Sequence, residues 1–144
     1  MITALAVFLL AACMQAYGAG TDEWIIRLGD ISDFSVLPDG GLALASGFSV
    51  ISLDSKGAQR WQWVADSPVT LIASGADGSV VASYANTIVR LDSSGRRLWV
   101  ADTYEKAYSL AIMEDGIFVG WEYGLMRFDM SGNLEWEYYR PEDC

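Results

Sequence analysis

LDSSGRRLW, the stretch from Leu91 to Trp99, is one of three copies of the same nine-residue pattern. The other copies are LDSKGAQRW, residues 53–61, and FDMSGNLEW, residues 128–136. An Asp, a Gly and a Trp hold the same places in every copy: Asp54, Gly57 and Trp61; Asp92, Gly95 and Trp99; Asp129, Gly132 and Trp136. Counted from one Asp to the next, the copies are 38 and then 37 residues apart. A fixed period in this range indicates a repeat protein.

Each repeat contains four short hydrophobic runs that are separated by turn residues. The first two runs are joined by an Asp-Gly turn, which is a strong hairpin signal because Gly adopts positive φ without steric cost. Four antiparallel strands in a repeat of this length match one blade of a β-propeller. The sequence therefore predicts an all-β protein with three four-stranded antiparallel blades, at about residues 29–63, 64–101 and 102–139.

A partial fourth copy precedes the first complete repeat. Gly20 and Trp24 keep the Gly-to-Trp spacing, and Trp24 precedes Trp61 by 37 residues, which predicts one N-terminal strand at Trp24–Leu28. Three blades and one strand form an incomplete ring, since propellers typically have four to eight blades. Two explanations remain open. Either two chains form a homodimer that completes a six-blade ring, or the sequence is a piece of a longer propeller.

The nine-residue pattern has a physical explanation. The Asp accepts hydrogen bonds from amides of its own turn, the Gly supplies a left-handed residue, and the Trp buries a large area against the neighbouring blade. Over about residues 20–139 the pattern resembles the tryptophan-docking repeat of quinoprotein-type (PQQ-like) propellers. The resemblance implies that the nine repeated Asp, Gly and Trp residues dock the blades together. It departs from the family at the position two residues before the Asp. The family has a small residue there, whereas this sequence has Ser52, Arg90 and Arg127 in the three copies.

The N-terminus has the features of a targeting segment. Residues 1–12 are uncharged and almost wholly apolar, which fits the hydrophobic region of a signal peptide. The sequence LAAC, ending at Cys13, resembles the lipobox of bacterial lipoproteins and implies that Cys13 is lipidated. No Lys or Arg precedes the apolar run, so cleavage by a signal peptidase near Gly18 or Ala19 remains the alternative. Either route predicts an exported protein.

The division of the chain follows from this segment. Residues 1–19 are the predicted signal peptide or lipobox segment, and residues 20–144 carry the repeats. The expected location is the periplasm or the outer membrane as an anchored lipoprotein, or outside the cell as a secreted protein. Membrane contact is expected only through the signal or the lipid anchor.

Composition narrows the possible functions. The chain has 9 Lys and Arg against 19 Asp and Glu, for a net charge of -10, which argues against a nucleic-acid partner. Histidine is absent, so the commonest general base and metal ligand is missing. The chain also lacks the vicinal Cys pair of many quinoprotein dehydrogenases. We therefore predict a protein that is not an enzyme and that holds no cofactor and no metal.

Four residues are candidates for a binding surface. Trp121 and Tyr123 flank a turn and are not required by the docking pattern, so they are the best candidates for an exposed aromatic pair. Arg90 and Arg127 stand at matching places two before the Asp of their repeats. They could meet an acidic partner, and pairing with nearby acids within the blades is the alternative.

Three functional hypotheses follow. The first is a non-enzymatic binding or scaffold module of the cell envelope that mediates protein–protein interaction. The second is a lectin-like propeller assembled by oligomerisation, which requires aromatic residues at equivalent turns; Phe48, Ala85 and Tyr123 align roughly, and the middle residue is Ala. The third is a fragment of a quinoprotein dehydrogenase whose cofactor ligands lie outside these residues.

Overall fold

The computed structural model describes residues 29–140, which form β-strands and turns and no helix. No segment within this range could therefore cross a membrane as a helix. Cys13 and the predicted strand at Trp24–Leu28 lie outside the described residues. The strands are β1 (Ile31–Val36), β2 (Leu42–Ser46), β3 (Ser49–Leu53), β4 (Gln59–Val64), β5 (Val69–Ser74), β6 (Val80–Tyr84), β7 (Thr87–Leu91), β8 (Arg97–Asp102), β9 (Ser109–Ile112), β10 (Ile117–Trp121), β11 (Gly124–Phe128) and β12 (Leu134–Tyr139).

The strands form three separate four-stranded antiparallel sheets in simple up-and-down order. Strands β1–β4 form blade 1, β5–β8 form blade 2 and β9–β12 form blade 3. The first strands of the blades are neighbours, because β5 contacts both β1 and β9. The blades therefore radiate from a common centre with their last strands outermost, and they form an open arc. This arrangement confirms the predicted all-β architecture of three propeller blades in an incomplete ring.

A β-bulge decides on which face of its blade each repeated Trp lies. In blade 1, Leu53 pairs with Gln59 whereas Ser52 pairs with Trp61, so Arg60 is an extra residue in β4. The same shift of register occurs in the last strands of blades 2 and 3, next to Trp99 and Trp136. Successive side chains of a regular strand alternate between faces, and an inserted residue reverses the alternation. The bulge therefore turns the Trp to the face opposite the one it would otherwise occupy.

The hydrophobic core lies between the blades rather than within one sheet. Small and branched side chains from facing sheets fill both interfaces, with Ala43 and Val50 of blade 1 packed near Val89 of blade 2. Between blades 2 and 3 the equivalent cluster includes Val81 and Met126. A third group, Leu44, Ile51 and Leu53, is buried on the face of blade 1 that points away from blade 2. Adjacent blades thus depend on each other for burial of their apolar faces.

The turn between the third and fourth strands is organised by its Asp. In blade 2, the Asp92 carboxylate accepts hydrogen bonds from the Ser94 amide at 2.9 Å, the Ser94 hydroxyl at 2.7 Å and the Arg96 amide at 2.9 Å. Asp54 and Asp129 accept equivalent amide hydrogen bonds in blades 1 and 3. Bonds to the ionised form lower the pKa of Asp92 below its ordinary value of 3.8, with the Ser94 hydroxyl as the largest cause. The pKa values of Asp54 and Asp129 are lowered in the same way, chiefly by the Ala58 amide and the Asn133 amide.

We expect Asp92→Asn to reduce the acid sensitivity of the fold. A carboxyl whose pKa is lower when folded than when unfolded stabilises the fold above the unfolded pKa, and this stability is lost as the pH falls through the folded pKa. The variant should be less stable than the wild type at neutral pH and should lose less stability between about pH 4 and about pH 2. Chemical denaturation across this range measures the effect.

Glu114→Gln is the matched control because it removes an exposed carboxylate without touching an Asp-x-x-Gly turn. Parallel stability profiles for the wild type and Asp92→Asn between these pH values would contradict the prediction.

Candidate functional site

Each internal blade interface contains one Trp that packs on a Gly of the next blade. The Trp61 ring covers Gly95, and a Cβ atom on this glycine would lie 2.6 Å from the indole. Trp61 Nε1 also donates a hydrogen bond of 2.9 Å to the Ser93 carbonyl in the same turn. Trp99 makes the same pair of contacts with Gly132 and with the Met130 carbonyl, again at 2.9 Å. The docking unit therefore consists of an indole ring, the Gly that the ring covers and the turn carbonyl that accepts the indole N–H.

Arg90 adds a second donor at the interface between blades 2 and 3. Its Nη1 donates to the Met130 carbonyl at 2.8 Å, so Arg90 and Trp99 share one acceptor. Its Nη2 lies 3.1 Å from a carboxylate oxygen of Asp77, within blade 2. This ion pair fixes the guanidinium in position to contact the next blade. Arg90 thus pairs with an acid of its own blade, which was the alternative to an acidic partner in the sequence analysis. It also joins blades 2 and 3.

The third copy of the pattern has no following blade among residues 29–140. Trp136 is 42% exposed, and its ring packs edge-on against Phe118 at 6.0 Å between centroids. Arg127 pairs with Asp115 and Glu135, each at 3.2 Å, and its guanidinium lies 5.3 Å from the centre of the Phe118 ring. Arg90 and Trp99 donate hydrogen bonds to the Met130 carbonyl at the previous interface. Arg127 and Trp136 hold the equivalent positions here, on an open face.

Strand register shows which other side chains share this face. Phe118, Arg127 and Trp136 are cross-strand partners, and Leu125 pairs with Tyr138 one step along the same face. Tyr138 is 62% exposed. We call this surface the docking face; it consists of Phe118, Leu125, Arg127, Trp136 and Tyr138.

The four residues predicted as a binding surface are not brought together. Arg127 lies beside the β9–β10 turn, whereas Trp121 and Tyr123 lie at the opposite end of β10. Trp121 and Tyr123 do form an aromatic pair, with ring centroids 6.0 Å apart. Arg90 belongs to the interface between blades 2 and 3. The structure thus separates an Arg-containing interface from an aromatic group at the other end of the blade.

Strand bounds correct the alignment of the turn residues considered for a lectin-like site. Phe48 and Tyr123 are each the second residue of the two-residue turn between the second and third strands of their blades. The equivalent residue of blade 2 is Asn86, and Ala85 is the first residue of that turn. The corrected alignment still places no aromatic side chain at the turn of blade 2.

Sequence reasoning missed several residues around Trp121. Tyr139 packs against Trp121 with ring centroids 5.3 Å apart, and Tyr104 and Glu105 reach the same place from the β8–β9 loop. The available signal was the length of this loop, which has six residues between strands where the β4–β5 connection has four. Among residues 29–140, no group of three or more Cys, Asp or Glu side chains could hold a metal ion. The absence of enzymatic activity stays a prediction.

Comparisons with known proteins identify the fold. No protein-family model and no curated protein matches the sequence. Among solved structures, BBS1N in complex with ARL6DN matches with a TM-score of 0.70 and 12% identity, over 83% of this chain and 44% of that one. BamB from Moraxella catarrhalis matches with a TM-score of 0.67 and 21% identity, over 86% and 41%. Hsv2 from Kluyveromyces lactis matches with a TM-score of 0.62 and 10% identity, over 78% and 38%. This chain has the β-propeller fold. It spans less than half the length of these structures.

Gly95→Ala should destabilise the fold by about 3 kcal/mol, because the new methyl group would overlap the Trp61 ring and the backbone is left-handed, with φ of 83°. Gly47→Ala is the matched control, since Gly47 has φ of 56° and no atom within 4 Å of its added Cβ. Its cost should be about 1 kcal/mol. Guanidinium unfolding of both variants measures the difference, and equal losses would contradict the proposed role of the indole contact.

Trp99→Leu and Trp136→Leu should differ although they alter equivalent positions. Trp99 is packed against blade 3, so its loss should cost about 3 kcal/mol. Trp136 is 42% exposed, and its replacement should cost less than about 1 kcal/mol. Denaturant unfolding of the full chain checks both values. A large loss for Trp136→Leu would mean that the docking face is already covered in solution.

Proposed function

We propose that this protein is a non-enzymatic interaction module of the cell envelope, built from PQQ-like propeller repeats, that binds another polypeptide through its docking face. One observation carries the proposal. The docking face repeats the Trp and Arg arrangement that joins blades 2 and 3, yet Trp136 and Tyr138 on it are exposed. Blade interfaces of this kind are buried wherever the chain provides a following blade. An uncovered face with the same side chains is suited to a partner that supplies the missing contacts.

The internal interfaces define the chemistry of the partner. Trp136 would pack on a residue without side chain, because a Cβ at the equivalent Gly132 would lie 2.6 Å from Trp99. The indole N–H and the Arg127 guanidinium would share a backbone carbonyl two residues before that Gly, as at Met130. A β-hairpin with an Asp-x-x-Gly turn, presented by a partner chain, meets both requirements. The partner is therefore expected to be a β-sheet protein with such a turn.

A second copy of this chain is the alternative partner. Ring closure by a homodimer would place Trp136 of one copy on Gly57 of the other, by analogy with Trp61 on Gly95. Gly57 is buried, and so are Leu44, Ile51 and Leu53 on the same side of blade 1. A covered receiving face favours a different partner chain over a homodimer.

Other observations support the finer parts of the proposal. Three copies of the Asp-x-x-Gly-x-x-x-Trp pattern support the PQQ-like assignment. The structure of BBS1N, which shares the fold, was determined in complex with ARL6DN, an example of a protein with this fold bound to another protein. The apolar segment ending at Cys13 supports export to the envelope, with a lipid anchor at Cys13 or secretion after cleavage.

Site-specific photocrosslinking in the producing cells tests the proposal. A benzophenone amino acid at position 138, on the docking face, should yield an adduct with another protein, and Trp136→Glu in the same chain should reduce the yield. Position 48 is the matched control because Phe48 is 52% exposed and lies on the β2–β3 turn of blade 1. Equal adducts at both positions, or none at position 138, would contradict the proposal. An adduct of two copies of this chain would identify the homodimer instead.

A further inference from the structure

A pocket of about 390 Å³ lies between the outer part of blade 3 and the β8–β9 loop. Tyr104 and Glu105 line it from the loop, and Trp121, Glu137 and Tyr139 line it from blade 3. Glu137 and Tyr139 alternate along β12 with Trp136 and Tyr138, so the pocket and the docking face lie on opposite faces of the sheet. We propose that this pocket, which we call the aromatic–acidic pocket, binds an organic ammonium group.

The aromatic rings form walls at steep angles to one another. The Trp121 and Tyr139 rings are 5.3 Å apart between centroids with an interplanar angle of 76°. Tyr104, which is 67% exposed, adds a further ring from the loop. Aromatic faces set at angles surround a cation better than parallel rings, because the electron-rich faces attract positive charge. This is the geometry by which proteins recognise alkylammonium groups.

The pocket also carries negative charge that the described residues do not neutralise. Within residues 29–140, neither Glu105 nor Glu137 forms an ion pair. The pKa of Tyr139 is raised chiefly by the neighbouring Glu137 carboxylate, with a smaller effect of Glu105. Tyr139 thus lies beside two carboxylates that no described cation pairs with, and this arrangement favours a cation over a neutral or anionic ligand.

The loop that supplies Tyr104 is held in place by its neighbours. Tyr104 has φ of 63°, a left-handed conformation that is unfavourable for a residue other than Gly. Asp102 accepts a hydrogen bond of 2.7 Å from the Tyr104 amide, and the buried Thr103 hydroxyl donates to the Glu105 carbonyl at 2.8 Å. The Thr103 amide donates to Asn86 of blade 2 at 2.8 Å. These contacts fix the backbone from which the Tyr104 ring and the Glu105 carboxylate project.

Lys106 and Arg140 are adjacent in sequence to residues that line the pocket. Lys106 Nζ lies 5.8 Å from the centre of the Tyr108 ring, at the end of the loop beyond Glu105. Arg140 follows Tyr139, and its backbone amide donates to the Tyr123 carbonyl at 2.7 Å. Neither residue lines the pocket. An external ammonium group can therefore approach both the aromatic walls and the carboxylates.

Titration of the full chain with choline tests the proposal, using the indole N–H signal of Trp121 in heteronuclear NMR spectra. The signal is assigned with Trp121→Phe. Choline should shift this signal in a saturable way, and 3,3-dimethylbutan-1-ol, which has the same shape without the charge, should not. The double variant Glu105→Gln with Glu137→Gln should weaken choline binding about tenfold or more. Both substitutions keep side-chain size and alter exposed positions, so the fold should persist; far-UV circular dichroism verifies this.

A second titration, with N-acetyl-lysine methylamide, distinguishes the source of the ammonium group. Tighter binding of choline supports a small quaternary ammonium ligand, and tighter binding of the lysine compound supports a side chain of a peptide. Glu114→Gln, at the opposite end of blade 3, is the control and should leave both affinities unchanged. Equal binding of choline and its neutral analogue, unchanged binding by the double variant, or no shift with either ammonium compound would overturn the proposal.

Discussion

The contact between a Trp of one blade and a Gly of the next is the constraint on which the rest of the structure depends. At both internal interfaces the indole ring occupies the space that a Cβ would need, and its N–H donates to a carbonyl of the same turn. This requires a Gly with positive φ in the turn, an Asp that holds the turn, and a bulge that directs the Trp outward. The nine repeated residues are therefore parts of one mechanical unit, which explains why they recur together.

The same unit explains how an arc of blades can present a binding surface. Each blade has a face that receives a Trp and a face that provides one, and the two largest apolar clusters lie where two blades meet. At the docking face, Trp136, Arg127 and the surrounding apolar side chains repeat the providing face, and no blade among residues 29–140 receives them. The proposed function thus uses the interaction that holds the blades together. The aromatic–acidic pocket differs, because it depends on Tyr104, Trp121 and Tyr139, which have no counterpart in the repeated pattern.

Much of the architecture could be predicted from the sequence because it rests on local rules. Asp-Gly turns, short hydrophobic runs and a period of 38 and 37 residues predicted three blades of four antiparallel strands, and the strand order confirms this. The candidate surface was harder to predict. Trp121 and Arg127 are close in sequence, but they occupy opposite ends of their hairpin, so only strand register shows that they cannot form one site. The length of the β8–β9 loop was the one signal for Tyr104, and it could not place the ring, because that place depends on a left-handed backbone within the loop.

Sequence alone was sufficient for the fold class and for the position of each blade-forming turn. These features follow from spacing and from the conformational freedom of Gly, which act within a few residues. Tertiary structure was required to assign each side chain to a face and to show which faces are covered. Trp61, Trp99 and Trp136 have the same sequence context, yet the first two are packed against a following blade and Trp136 is exposed. The physical reason is that burial depends on the neighbouring blade, and no local pattern encodes whether that neighbour is present.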